Sequence, residues 1–164
     1  MTTLTFDPQQ VWGQILTEWW RSLNDDTGGR AALRRAPDIT AVVMLPAFQR
    51  LHRRLMGAGW PGQRWQDDRL AAVAGLLAHV REQTSLNLPR SMSEGEEPAL
   101  SELRFRRLLD SPDVDALFSG LRRALPLLQD RADICALATD VVNWGDEVKK
   151  RWAYAYAWPV KARS

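Results

Sequence analysis

Ser101-Glu102-Leu103-Arg104-Phe105-Arg106-Arg107-Leu108-Leu109 reads as one kind of element. Phe105, Leu108 and Leu109 stand at i, i+3 and i+4, the spacing of an apolar stripe on a helix, and such a stripe has to be buried. Arg104, Arg106 and Arg107 point away from it, Arg107 nearly opposite its middle. One side of the helix therefore holds the core and the rest offers three guanidinium groups. Guanidinium forks suit bidentate contact with phosphate oxygens, and such contacts position a protein on nucleic acid without reading its sequence. Taken alone, the segment is more simply a solvated basic face. Its recurrence along the chain gives it weight.

Working outward, Asp7-Pro8 reads as an N-cap and first helical residue. Val11, Trp12, Ile15, Leu16, Trp19 and Leu23 then follow at helical spacing. Asn24 to Gly29 breaks this helix. Arg30-Ala31-Ala32-Leu33-Arg34-Arg35-Ala36 forms a short second one stopped by Pro37, with Arg30, Arg34 and Arg35 expected to face out. Phe48, Leu51 and Leu55 continue a core face with Arg50, Arg53 and Arg54 around it. A long helix is expected from Trp65 to Gln83, with Leu70, Val73, Leu77 and Val80 on one side.

Thr84 to Pro98 carries Ser, Glu, Gly and Pro without a hydrophobic period and reads as a linker or mobile loop. Beyond the opening helix, Ser111-Pro112-Asp113 repeats the cap-plus-proline start. Leu117, Leu121 and Leu125 form a stripe with Arg122 and Arg123 beside it. Asp130 is expected to cap a helix bearing Ile134, Leu137, Val141 and Trp144. Asp146 to Trp158 makes the last helix, with Lys149, Lys150 and Arg151 outward. No segment alternates with period two over a useful length. The expected fold is all-α, two packed helical sub-bundles: residues 1–83, a linker at 84–98, and residues 99–164.

The formal net charge is only +2, but it is unevenly spread. Arg30 to Arg81 holds nine Arg against three Asp, whereas Glu82 to Glu102 holds five Glu against one Arg. A basic block beside an acidic stretch permits a nucleic-acid partner. A single cysteine, Cys135, excludes an internal disulfide framework and fits a reducing cytoplasm. Met1 to Gln10 lacks a basic segment followed by an apolar run, and no apolar run approaches a membrane span. A cytoplasmic protein with no membrane contact is expected.

Catalytic chemistry is poorly provided for. His52 and His79 have no partner at ligand spacing, and Cys135, between Ile134 and Ala136, reads as a core residue. The pairs Asp25-Asp26, Asp67-Asp68 and Glu96-Glu97 fit helix caps better than a metal site, and no glycine-rich phosphate loop is present. No enzyme, metal or cofactor is expected. Of the eight tryptophans, Trp12, Trp19, Trp144 and Trp152 fall on apolar stripes, while Trp20, Trp60 and Trp65 adjoin loops and could stack on bases or a partner.

Several short motifs occur in a familiar order: Trp19-Trp20, Gly29 to Ala36, Pro46-Ala47-Phe48, Leu103 to Leu109, and Trp144 followed by Val148-Lys149 and Trp152-Ala153-Tyr154. By these motifs the chain resembles the CasB family, the small subunit of the type I-E CRISPR Cascade complex, from about Val11 to Tyr156. The resemblance implies a non-catalytic, all-helical subunit that sits with a second copy of itself among the other Cascade subunits, the guide RNA and the target DNA. It further implies basic surfaces that hold the target and displaced strands and so stabilise the R-loop. Carried over residue by residue, the nucleic-acid-binding candidates are Arg30, Arg34, Arg35, Arg104, Arg106 and Arg107, then Lys149, Lys150 and Arg151, and last Arg122 and Arg123. Thr84 to Pro98 matches no family motif. The competing reading is a helical protein-interaction adaptor whose arginines pair with acidic proteins.

Overall fold

The computed structural model describes residues 4–160. Ten α-helices are assigned among them: α1 (Val11–Ser22), α2 (Thr27–Arg35), α3 (Ile39–Val43), α4 (Pro46–Gly57), α5 (Arg64–Leu77), α6 (Leu88–Ser93), α7 (Glu102–Leu109), α8 (Val114–Ala124), α9 (Ile134–Val142) and α10 (Asp146–Ala155). A 3₁₀ turn, Leu125–Leu128, follows α8. Two-residue strands, β1 (Glu82–Gln83) and β2 (Arg131–Ala132), pair in parallel. The all-α expectation holds.

Polar caps start most of these helices where the sequence supplies them. Asp38, Asn87, Ser101, Asp113 and Asp133 each accept a hydrogen bond from the backbone N–H three residues on, worth about 1 kcal/mol apiece. Asp26 does the same for α2 through Gly29 N at 2.9 Å. A Cβ at Gly29 would stand 2.2 Å from that carboxylate, so glycine is what lets the cap close. Gly28-Gly29 thus begins α2 rather than breaking the chain. Two caps fall elsewhere than expected. Asp7 closes a turn onto Gln9 N before α1 begins, and Asp133, not Asp130, caps α9.

The architecture is organised on α5. Every residue from Leu70 to Ala78 is buried, so this helix is enclosed on all sides instead of presenting one apolar face. It packs against α3, α8 and α9, with α2 and α4 also in contact. Small residues make that density possible: a Cβ on Gly75 would stand 2.7 Å from Phe118 Cε1 and 3.1 Å from Val42 Cγ2. The helix ends at Leu77, short of the expected Gln83. The chain then turns so that Arg81 N donates to Asp130 O and Thr84 N donates to Ala132 O.

The expected halves, 1–83 and 99–164, share one hydrophobic cluster, because α5 from the first packs on α8 and α9 from the second. The segment 84–98, read from the sequence as a linker or mobile loop, holds a short helix of its own, α6. It buries Leu88 and Met92 and contacts α10. Ser93 Oγ accepts from Ala157 N at 2.9 Å, Leu100 N donates to Met92 O at 2.9 Å, and the Tyr156 hydroxyl donates to Leu100 O at 2.6 Å. With so few apolar positions, α6 shows no period that a sequence window can detect.

Candidate nucleic-acid interface

Helix α7 buries Phe105 and Leu108 as its stripe requires, and Phe105 stacks on Tyr156 with ring centres 4.0 Å apart. Burial of that face fixes the helix's rotation, and Arg104, Arg106 and Arg107 are all exposed. They do not act as a set. Arg106 turns toward Glu102, 3.8 Å away at i−4. Arg104 and Arg107 instead line a groove between α7 and α8 of about 450 Å³, and Arg123 lines it from α8. Leu100, Leu108, Ala116, Gly120 and Leu127 contribute apolar lining, and Asp110 and Ser111 lie at its α7 end. The two helices approach closely where Gly120 faces Leu108: a Cβ there would stand 2.7 Å from Leu108 Cδ1. Among the described residues, no carboxylate lies within ion-pair distance of Arg104, Arg107 or Arg123.

The α2 arginines divide differently from the expectation. Arg30 is only 8% exposed and faces inward. Its Nε donates to Ala78 O at 3.2 Å, Nη2 to Val80 O at 2.9 Å and Nη1 to Asn24 Oδ1 at 3.1 Å. It satisfies the carbonyls that α5 leaves open at its C-terminus. Burial, then the charges of Arg81 and Arg34, lower its pKa from the usual arginine value. Arg35 is exposed and Arg34 half-buried.

Arg122 is likewise a structural clamp. Nη1 donates to Ala36 O at 2.7 Å and Nη2 to Arg34 O at 2.9 Å, while the guanidinium lies 5.3 Å from the centre of the Phe118 ring. It caps the C-terminal end of α2 and ties that end to α8. Both guanidinium groups are held against backbone carbonyls of the fold, Arg30 almost wholly enclosed and Arg122 half-buried.

The C-terminal cluster is also split. Arg151 pairs with the buried Asp140 at 2.7 Å, a hydrogen bond that raises the Arg151 pKa, and Asp140 also accepts from Trp152 Nε1 at 2.8 Å. Lys149 Nζ lies 3.4 Å from Ser111 O and 5.9 Å from the centre of the Trp144 ring. Lys150 alone of the three is exposed without an ion-pair partner among the described residues.

The tryptophans follow burial more than loop position. Trp60 is 2% exposed and donates to Asp67, and Trp20 donates to Val80 O at 2.9 Å, so both are structural. Trp65 remains 48% exposed, with the Arg69 guanidinium 5.2 Å from its ring centre. Cys135 is buried and burial pushes its thiol pKa up, the reverse of an activated nucleophile. Among the described residues no three His, Cys, Asp or Glu side chains converge as a metal set, and no helix is long and apolar enough to cross a membrane.

Sequence reasoning missed the groove's apolar lining. The spacing Ala116–Gly120 on α8 was the available signal, since two small residues one turn apart mark a close approach to a neighbouring helix.

The family described as CRISPR-associated protein Cse2 matches residues 29–156. A CRISPR-associated protein Cse2 of Thermus thermophilus is 26% identical over 151 residues, spanning 88% of this chain and 89% of the relative. A chain in the crystal structure of E. coli Cascade bound to a PAM-containing double-stranded DNA target shares the fold. Its TM-score is 0.66 at 23% identity, covering 87% of this chain and 92% of that one.

Proposed function

The chain belongs to the CRISPR-associated Cse2 family, the CasB family of the sequence reading, and from that premise we propose that it is a non-catalytic, nucleic-acid-holding small subunit of an RNA-guided CRISPR Cascade complex. It would work beside other Cascade subunits, a second copy of itself, guide RNA and target DNA. Its basic surface grips the backbone of the target and displaced strands once base pairing has read the sequence. R-loop formation is nearly balanced energetically, so a few backbone contacts suffice to tip it.

The observation that carries this reading is the convergence of Arg104, Arg107 and Arg123 on one groove, with no carboxylate in ion-pair reach among the described residues. A structural arginine is tied to backbone carbonyls, as Arg30 and Arg122 are; these three hold exposed charge together. Arg35 and Lys150 are the remaining exposed members of the expected set without an ion-pair partner among the described residues, Arg106 and Arg151 being exposed but paired with Glu102 and Asp140. The buried members serve the fold.

The test is binding to single- and double-stranded DNA across a salt series, for the chain alone and reconstituted with its partner subunits. An Arg104/Arg107/Arg123 triple alanine variant runs alongside. Each lost phosphate contact lowers the salt slope by about 0.7 to 0.9, so the triple change should lower it by about 2 to 3. Helicity should be unaffected. If the variant forms equally stable R-loops in the reconstituted complex with an unchanged salt slope, the reading fails and the adaptor alternative takes its place.

A further inference from the structure

We propose that the α7–α8 groove takes one unpaired nucleotide, with its base on the apolar floor and its flanking phosphates on Arg104, Arg107 and Arg123. The proposal rests on the nucleic-acid reading above and adds to it a requirement for single-stranded substrate.

A positively charged groove by itself tracks a phosphate backbone, and apolar lining adds a place for a base. This one is concave, and its floor is apolar. Leu127 is exposed and Ala116 half-buried within it, with the buried Leu100 and Leu108 beneath, and the space of about 450 Å³ lies in the range of small-molecule sites. Exposed apolar surface enclosed by guanidinium groups matches a ligand that is flat and apolar in one part and anionic in another. A nucleotide has that division: the base supplies the π-face and the phosphates the charge. An acidic peptide matches the cations but lacks the flat apolar body.

A duplex cannot use the floor without extruding a base, at a cost of a few kcal/mol. An unpaired strand meets no such cost. Asp110 points to the same ligand. A carboxylate beside the arginines disfavours a phosphate at that end of the groove, and it can accept a hydrogen bond from an exocyclic amino group of a base. The shape is held by the packing, since Gly120 lies against Leu108 and leaves no room for a side chain between the helices.

The experiment compares a short single-stranded DNA with its abasic counterpart, which keeps every phosphate but lacks bases, using the full chain and fluorescence anisotropy. Loss of the base removes its apolar contact with the aliphatic floor, so the abasic strand should bind roughly ten-fold more weakly. Ala116→Leu, which fills the groove, and Leu127→Ser, which removes apolar floor at an already exposed position, should each weaken the natural strand. Both should leave the abasic strand unchanged. A 2-aminopurine probe should change its emission on binding the wild-type chain and not Ala116→Leu. Equal affinity for natural and abasic strands, with binding still salt-steep and arginine-dependent, overturns the base site and leaves the backbone reading standing. An abasic penalty that both variants retain also overturns it, since the base would then lie elsewhere. Absence of binding to either strand, alone and in the reconstituted complex, refutes both readings.

Discussion

Replacing Arg30 by alanine separates a structural arginine from a nucleic-acid contact. The side chain donates to Ala78 O, Val80 O and Asn24 Oδ1, and it is almost wholly enclosed. Alanine removes all three bonds. Val80 O keeps a second donor in Trp20 Nε1 at 2.9 Å, whereas Ala78 O loses its Arg30 donor. A hydrogen bond from a charged group contributes about 1.5 to 3 kcal/mol, and an unsatisfied buried carbonyl costs about 1 to 3 kcal/mol. The three bonds share one anchor and are not additive. Removing the desolvated guanidinium also offsets part of the loss. We therefore expect a net destabilisation of about 3 kcal/mol, which for a chain of this size lowers the melting temperature by roughly 6 to 12 °C. Circular dichroism during thermal melting measures this directly, with Arg107→Ala as the comparison. Arg107→Ala should melt within about 1 °C of wild type, as exposed changes do, yet bind DNA more weakly. Arg30→Ala should show the opposite pattern at temperatures where it remains folded. A stable Arg30→Ala variant with weakened DNA binding would place that guanidinium on the surface and refute the argument.

Two further outcomes follow from the core. Gly75→Ala places a methyl group 2.7 Å from the Phe118 ring, so α5 and α8 must separate; overpacking of this kind costs about 1 to 3 kcal/mol, and urea denaturation should show a lower midpoint with an unchanged m-value. His79 has its pKa lowered to about 4 by burial first and then by Arg34 and Arg122, with Asp130 opposing, and its Nε2 is buried without a hydrogen-bond partner. The unfolded chain, with its histidine near 6.5, binds the proton more readily, so stability is complete above about pH 6.5 and falls as pH drops toward 4. At 1.36 kcal/mol per pH unit the full effect is at most about 3 kcal/mol. Partial solvation of the ring reduces it to roughly 1 to 2 kcal/mol. Urea midpoints at pH 7 and pH 5 should differ more for wild type than for His79→Phe; identical pH dependence in the two proteins would show that His79 is not the cause.

The helical nature of the chain was legible because the period of its apolar residues is a local property. Phe105 and Leu108, Leu117 and Leu121, and Val148 and Trp152 are all buried as their spacing requires. Burial of one stripe turns the rest of that helix outward, which is why Arg104 and Arg107 could be placed on the surface from sequence. The order of the short motifs indicated the family, and the match over residues 29–156 agrees.

Partnership between distant residues was settled only by the tertiary structure. Arg30, Arg122 and Arg123 are indistinguishable as letters, since each is an arginine beside an apolar stripe. Their fates depend on what stands opposite: open carbonyls at the end of α5 for Arg30, the end of α2 for Arg122, and an open groove for Arg123. The enclosure of α5 follows from the same cause, because alanine and glycine carry almost no hydrophobic signal yet are what allow three helices to close around it. Hydrophobic period is written into each segment and sets what must be buried. Which cations remain free depends on acceptors supplied by other parts of the chain, and only the packed fold brings those together.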